Sequence, residues 1–231
     1  MPEKSQPILD LFDDPGHAVD YADGPATFVP GLDALHRMAS VLIRETAASD
    51  AHILVHGAGG GLELEAFAVE NSDWRFVGVD PAKPMLDAAR DRLGALNDRV
   101  MLHHGYAEDA PTGPFDAATS FLTLHFLNAI ERQKTVSEIV SRLKPGAPFI
   151  TVHCSFPQDP RMRAVWLARH REFVIASGVD PEDAEAARRS ISENLEAFDP
   201  ELDEQILRDA GLKEVTMFYS AFTWRGWLAR A

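Results

Sequence analysis

Hydrophobic positions along the chain follow two alternating rhythms. Short unbroken apolar runs at 51–56, 75–80, 99–104, 115–121 and 148–154 have the length and composition of strands buried on both faces. Between and before them, apolar residues recur every three or four positions, the spacing of one face of a helix. Leu35, Met38, Ala39, Leu42 and Ile43 form one such set, Met85, Leu86, Ala89, Leu93 and Leu96 a second, and Val136, Ile139, Val140 and Leu143 a third. Asn128 and Glu131 at capping-box spacing open the third helix, and Lys144, Pro145 and Gly146 end it. Strand and helix alternating at this length predict a parallel sheet with right-handed crossovers and helices on both faces. Beyond Cys154 the pattern predicts helices at 161–177, 181–195 and 200–210, followed by two closing strands at 214–219 and 221–228. Asp180-Pro181 and Asp199-Pro200 each set a capping carboxylate ahead of a proline suited to the first helical turn, and Gly178 and Gly211 are stop signals. Pro2, Pro7, Pro15, Pro25 and Pro30 limit the first 30 residues to short turns, so 1–48 reads as an arm and a lead-in helix.

The first strand breaks into Gly57, Ala58, Gly59, Gly60 and Gly61 and resumes as a helix-compatible stretch. Glycines there reach positive φ and let a ligand lie against backbone N–H groups at a helix N-terminus. The next strand ends in Asp80, about 20 residues on, the spacing at which a carboxylate grips a ribose diol. Two consecutive strand tips therefore suit a nucleoside. A dinucleotide fingerprint started at Gly57 needs a glycine where the chain has Leu62, which disfavours a nicotinamide dehydrogenase.

Composition narrows the partners. The chain has 231 residues, 45% of them hydrophobic, enough for one sizeable core. A formal net charge of −14 argues against a broad nucleic-acid surface and for small-molecule or protein partners. No stretch has the length of a membrane span and the N-terminus lacks a basic start and apolar signal core, so a cytoplasmic protein is expected. A single cysteine, Cys154, allows no internal disulfide and no thiolate cluster for zinc, and no metal is expected.

The glycine register 57-59-61 resembles motif I of the class I S-adenosylmethionine (SAM) dependent methyltransferases, and Asp80, Pro81, Met85 and Leu86 resemble their second motif. Gly105, Tyr106 and Ala107 resemble the family's adenine segment, the stretch from Phe121 through His125 to Leu127 its post-strand-four motif, and Leu143 to Ala147 its approach to strand five. Within that family the chain is most similar to the carboxy-SAM synthases of tRNA wobble-uridine modification, through 123–127, 188–194 and 218–222. The resemblance implies an α/β fold: a three-layer doubly wound sheet of about seven strands, mostly parallel with a C-terminal antiparallel hairpin, and an accessory helical insertion at about 158–197. It implies a SAM-binding domain over 49–231, with cofactor contacts from Gly57, Ala58, Gly59, Gly61, Asp80, Pro81, Met85, Tyr106, Ala107 and Phe121. It also implies that Arg189 holds the extra carboxylate of a carboxylated cofactor, and that a homodimer could form through the helices after Cys154. Val55 stands where the family carries an acid, Tyr106 where it carries the aspartate beside adenine, and Phe121 and Leu32 where the synthases carry asparagine and tyrosine.

Methyl transfer from a sulfonium is an in-line displacement, so positioning dominates and a base is optional. His125 and His153, near the ends of the fourth and fifth strands, are candidates for that base, with packing or hydrogen bonding as the alternative for each. Arg189 is either a carboxylate fork or part of a solvated charged helix face. Trp166 and Phe173, on a helix with His170 and Arg171, either face the sulfonium or pack in the core. Phe12, Tyr21 and Phe28 either close over the ligand or anchor the arm. The leading expectation is methyl transfer from SAM to a small molecule, which would be carboxylate-bearing if Arg189 serves it; a carboxy-SAM synthase relative and a SAM-binding protein without catalysis are the alternatives.

Overall fold

A computed structural model of the protein describes residues 6–14, 16 and 24–231. Its centre is one seven-stranded sheet in the order β3-β2-β1-β4-β5-β7-β6. The strands are β1 (His52–His56), β2 (Arg75–Asp80), β3 (Val100–His104), β4 (Ala117–Phe121), β5 (Pro148–Cys154), β6 (Lys213–Ala221) and β7 (Trp224–Arg230). The first five pair in parallel, whereas β7 lies antiparallel between β5 and β6. This is the expected α/β architecture, with its C-terminal hairpin.

Three short or lead-in helices come first: α1 (Gln6–Phe12), α2 (Pro25–Phe28) and α3 (Leu32–Arg44). Within the alternating region lie α4 (Leu62–Glu70), α5 (Lys83–Leu93) and α6 (Ala129–Val140). Three more follow β5: α7 (Pro160–Ala176), α8 (Pro181–Asn194) and α9 (Pro200–Asp209). Strand β1 shows why its apolar run is unbroken. Ile53 and Val55 face a core layer with Leu35, Ile43, Leu64 and Phe67, while Leu54 faces the opposite layer with Val136, Ile139 and Trp227. A strand covered on both faces has no solvent side on which to place polar residues.

The capping box forms as read: Glu131 N–H donates to Asn128 Oδ1 at 3.0 Å and Asn128 N–H to Glu131 Oε2 at 3.4 Å. Asp180 caps α8 through the Glu182 N–H at 2.8 Å. Asp199 does not cap α9; its Oδ1 accepts the Gln158 N–H at 2.8 Å instead, because β5 delivers that segment alongside it. Asp159, not singled out from sequence, caps α7 through the Met162 N–H at 3.1 Å.

Beneath the later helices lies a buried polar network. The Arg132 guanidinium donates to the carbonyls of Leu124 at 3.0 Å and Leu127 at 3.2 Å and pairs with Asp203. His153 Nε2 is 3.2 Å from Asp203 Oδ1, at an angle short of a hydrogen bond, and its ring lies 5.0 Å from that of Trp227. The Cys154 N–H donates to His125 Nδ1 at 3.3 Å, and burial pushes the Cys154 thiol up to about 12. Among the described residues no helix is long and apolar enough to cross a membrane, and no cluster of three or more His, Cys, Asp or Glu could hold a metal.

Candidate functional site

Strand β1 pairs with β2 on one side and β4 on the other, so the sheet's winding reverses there and a crevice opens beyond the carboxyl ends of these strands. A cavity of about 260 Å³ occupies it. Its floor is His56, Gly57, Ala58, Gly59, Gly60, Leu62 and Glu63; one wall is Asp80, Pro81, Ala82 and Met85; another is Tyr106, Ala107, Glu108, Phe121, Leu122 and Thr123. Gln6, Leu9 and Phe12 of α1, with Pro25, Leu32 and His36, close the far side. Leu122, immediately after β4, holds φ 54, a costly conformation for a leucine that recurs where backbones are bent to serve a site.

The glycines have a different cause from the one expected. Gly57 holds φ 72, and a Cβ there would lie 2.0 Å from Thr123 Oγ1; Gly61 holds φ 82, and a Cβ there would lie 3.0 Å from the Ala89 Cβ of α5. Protein neighbours, not a ligand, demand a bare Cα at these two positions, and Gly61 does not line the cavity. The N–H groups of Gly57 and Ala58 donate to Val79 O and that of Gly61 to Ala58 O, so they serve the turn itself. The Gly57→Ala variant should therefore lose about 1–3 kcal/mol from the forced φ and the overlap with Thr123. Its melting curve, compared with that of the unaltered protein, checks this.

Asp80 is the pivot of the site. It is buried, yet borders the cavity, and each carboxylate oxygen accepts a backbone N–H, Gly59 to Oδ2 and Ala82 to Oδ1, both at 2.9 Å. Each oxygen keeps a second lone pair for a ligand hydroxyl. Burial raises its pKa to about 6, against the pull of those two N–H groups. Glu63, in the first turn of α4, is 6% exposed, and burial pushes it up to about 8. Its Oε1 has no hydrogen-bond partner among the described residues. His56 Nδ1 meets Ser120 Oγ at 3.0 Å and His36 stacks on Phe121 at 5.7 Å; burial lowers both imidazoles to about 4, so they are neutral.

Of the residues expected to contact a cofactor, Gly57, Ala58, Gly59, Asp80, Pro81, Met85, Tyr106, Ala107 and Phe121 all border this one cavity. The three expected at the chemistry do not. His125 and His153 sit in the buried network behind β5, where Cys154 and Asp203 occupy them, and burial holds both below their ordinary pKa. Arg189 is exposed on α8 and borders no part of the cavity. The structure brings none of these three side chains to the lining of the cavity. The Trp166 ring lies under the guanidinium carbons of Arg169 at 4.7 Å and Arg225 at 5.5 Å, and Phe173 packs on Phe222, so neither ring is offered to a sulfonium. Phe12 does border the cavity, the Phe28 carbonyl instead accepts from Trp224 Nε1 at 3.0 Å, and Tyr21 lies outside the described residues.

Sequence reading missed Glu63, Thr123 and His36. Glu63 left one signal: it stands four positions before Phe67, on the face of α4 that packs inward.

Comparison with known proteins bears on this geometry. A family model described as a methyltransferase domain matches residues 53–146. A demethylmenaquinone methyltransferase of Symbiobacterium thermophilum is 30% identical over 176 residues, covering 71% of this chain and 68% of that protein. The chain belongs to the class I SAM-dependent methyltransferases. Within that family it is also similar to a carboxy-S-adenosyl-L-methionine synthase of Campylobacter lari, 23% identical over 204 residues and covering 88% of this chain and 86% of that protein. Among solved structures, human N-acetylserotonin methyltransferase in complex with SAM superposes with a TM-score of 0.62 at 12% identity, a likeness of fold. That match takes in 100% of this chain but 60% of the human chain.

The site fits the methyltransferases' cofactor on its own chemistry. Its described lining includes the acids Asp13, Glu63, Asp80 and Glu108 and no lysine or arginine. SAM carries a sulfonium, an ammonium and one carboxylate, a net positive charge that suits an acidic lining.

Proposed function

We propose that the protein transfers the methyl group of SAM to a small, largely apolar acceptor. One observation carries the reading: the Asp80 carboxylate, fixed by the Gly59 and Ala82 N–H groups, keeps free lone pairs at the cavity wall where a ribose diol would dock. Bound SAM would supply an electrophilic methyl group. The chain's own contribution is to hold donor and acceptor close and aligned, which can lower the barrier by roughly 7–11 kcal/mol. Leu9, Phe12, Pro25, Leu32, Phe126 and Leu127 give the acceptor side an apolar surface. Demethylmenaquinone, the compound named for one relative, is itself a small molecule. Neutral imidazoles with a pKa of about 4, at His36 and His56, are weak bases, so the acceptor should bring an already reactive nucleophile. Calorimetry with SAM and its demethylated product, S-adenosylhomocysteine, followed by transfer of labelled methyl to apolar acceptors, tests this. Absence of binding to either nucleoside would overturn it.

A second reading, a carboxy-SAM synthase-like enzyme, is favoured by the Campylobacter lari relative's name. Arg189 gives it no support, being exposed and away from the cavity. Mass spectrometry of the ligand released from purified protein separates the two: a carboxylated cofactor favours the second, ordinary SAM the first.

A further inference from the structure

We propose that Glu63 receives the α-ammonium group of the bound cofactor, supplying from helix α4 the acid that strand β1 lacks at Val55, and that binding expels the Glu63 proton. The inference rests on the SAM-binding reading above and goes beyond it by assigning a ligand contact and its proton balance.

Position comes first. Val55 of β1 and Thr119 of β4 are register partners, so their side chains stand side by side on the face of the sheet that α4 covers. Glu63 lies at that seam close enough to Thr119 for the hydroxyl to pull its pKa down against burial, yet among the described residues neither Glu63 Oε1 nor Thr119 Oγ1 has a hydrogen bond of ordinary geometry. A carboxyl group thus sits next to Val55, at the cavity floor.

Satisfaction comes second. A buried carboxyl oxygen without a donor costs the protein its full desolvation, and an apolar side chain against Phe67 would pack there without that cost. Once the group is ionised both of its oxygens only accept, so the missing partner of that form is a donor. A sulfonium has no N–H or O–H to give, whereas an ammonium has three, so the ammonium is the cationic part of the cofactor that completes Oε1.

Charge comes third. The titratable groups facing the cavity are His36 from α3, His56 from β1, Asp80 from β2, Tyr106 and Glu108 after β3, and Asp13 after α1. None of these described groups is a cation at neutral pH, and the lone pairs that Asp80 keeps beside its two N–H bonds are the ones assigned above to the ribose diol. Burial with no cationic neighbour keeps Glu63 protonated near pH 7, since its pKa stands at about 8. An arriving ammonium favours the ionised form, and the proton leaves Glu63 for the buffer while the ammonium keeps all of its own.

Calorimetry at pH 7 in two buffers of different ionisation enthalpy reads that proton. S-adenosylhomocysteine has the ammonium but no sulfonium, and 5′-methylthioadenosine has the nucleoside without the amino-acid arm. The unaltered protein should release about one proton on binding S-adenosylhomocysteine and none with methylthioadenosine. Glu63→Gln, which keeps shape and removes the charge, should release none, bind S-adenosylhomocysteine about tenfold more weakly and bind methylthioadenosine as before. Unchanged methylthioadenosine binding shows that the variant's site is intact. Equal S-adenosylhomocysteine affinity in the two proteins, or proton release that survives in Glu63→Gln, overturns the assignment while leaving the methyltransferase reading standing. Failure of the unaltered protein to bind either nucleoside overturns both.

Discussion

Asp80→Asn should weaken S-adenosylhomocysteine binding by about a hundredfold, or roughly 2.7 kcal/mol. Hydrogen bonds to a charged acceptor contribute about 1.5–3 kcal/mol each, and a ribose diol presents two donors to this carboxylate. An amide keeps one acceptor oxygen, so it must also give up one of the two N–H groups, Gly59 or Ala82, that tie the glycine turn to the tip of β2. Acidity separates the binding effect from a folding effect, because the two run in opposite directions. The folded-state pKa of Asp80 is raised from 3.8 to about 6, so its contribution to stability is complete below about 3.8 and is lost as pH rises through about 6. Ligand binding needs the ionised form and is lost as pH falls through about 6. Methylthioadenosine, which does not engage Glu63, should bind about fivefold more weakly at pH 5 than at pH 6, and that slope should vanish in Asp80→Asn. A slope that persists in the variant would assign it to another group.

The other large effect is on stability. Asp203→Ala should cost about 3–5 kcal/mol, because it strands the buried Arg132 charge without its counter-ion. For a chain of this length each kcal/mol shifts the melting temperature by about 2–4 °C, so the transition should fall by roughly 6–20 °C. Burial opposes the charge on Asp203, but His153 and Arg132 outweigh it and hold its pKa below the usual carboxylate value. The stabilisation it gives is therefore present above about pH 4 and lost as pH falls through the depressed folded-state pKa. Replacing both partners with leucine should recover part of the loss, since no unpaired charge then remains. Scanning calorimetry of the single and double variants decides it; a single variant within 1 °C of the unaltered protein would show that the ion pair carries no such weight.

Most of the framework could be read directly from residue order. The bounds of β2 and β5 match the apolar runs at 75–80 and 148–154, because strands buried on both faces write their limits into composition. The capping box at Asn128 is equally local, since both of its hydrogen bonds span three residues. Asp199 shows where local reasoning stops: the Asp-Pro pair predicts a cap, but an N–H from 41 residues earlier is better placed to claim the carboxylate. The same holds for the histidines. His153 does sit near the end of a strand, the usual address of a binding site, yet α9 brings Asp203 against it and β7 brings Trp227 over it. Nothing within a few residues of His153 encodes either event. Glu63, His36 and, apart from Phe12, the cavity-lining residues of α1 were missed for the converse reason, their inward direction being set by packing against distant strands and helices.

The single thiol of the chain is sealed inside the sheet. Cys154 is fully enclosed, its backbone paired across β5 and β7 with Trp224, and its thiol is pushed up to about 12. Alkylating agents attack the thiolate, so the native molecule is inert towards them until those two strands part. The speed at which iodoacetamide consumes the lone thiol is then a clock for how often the sheet comes open, and a tight-binding nucleoside should slow its ticking.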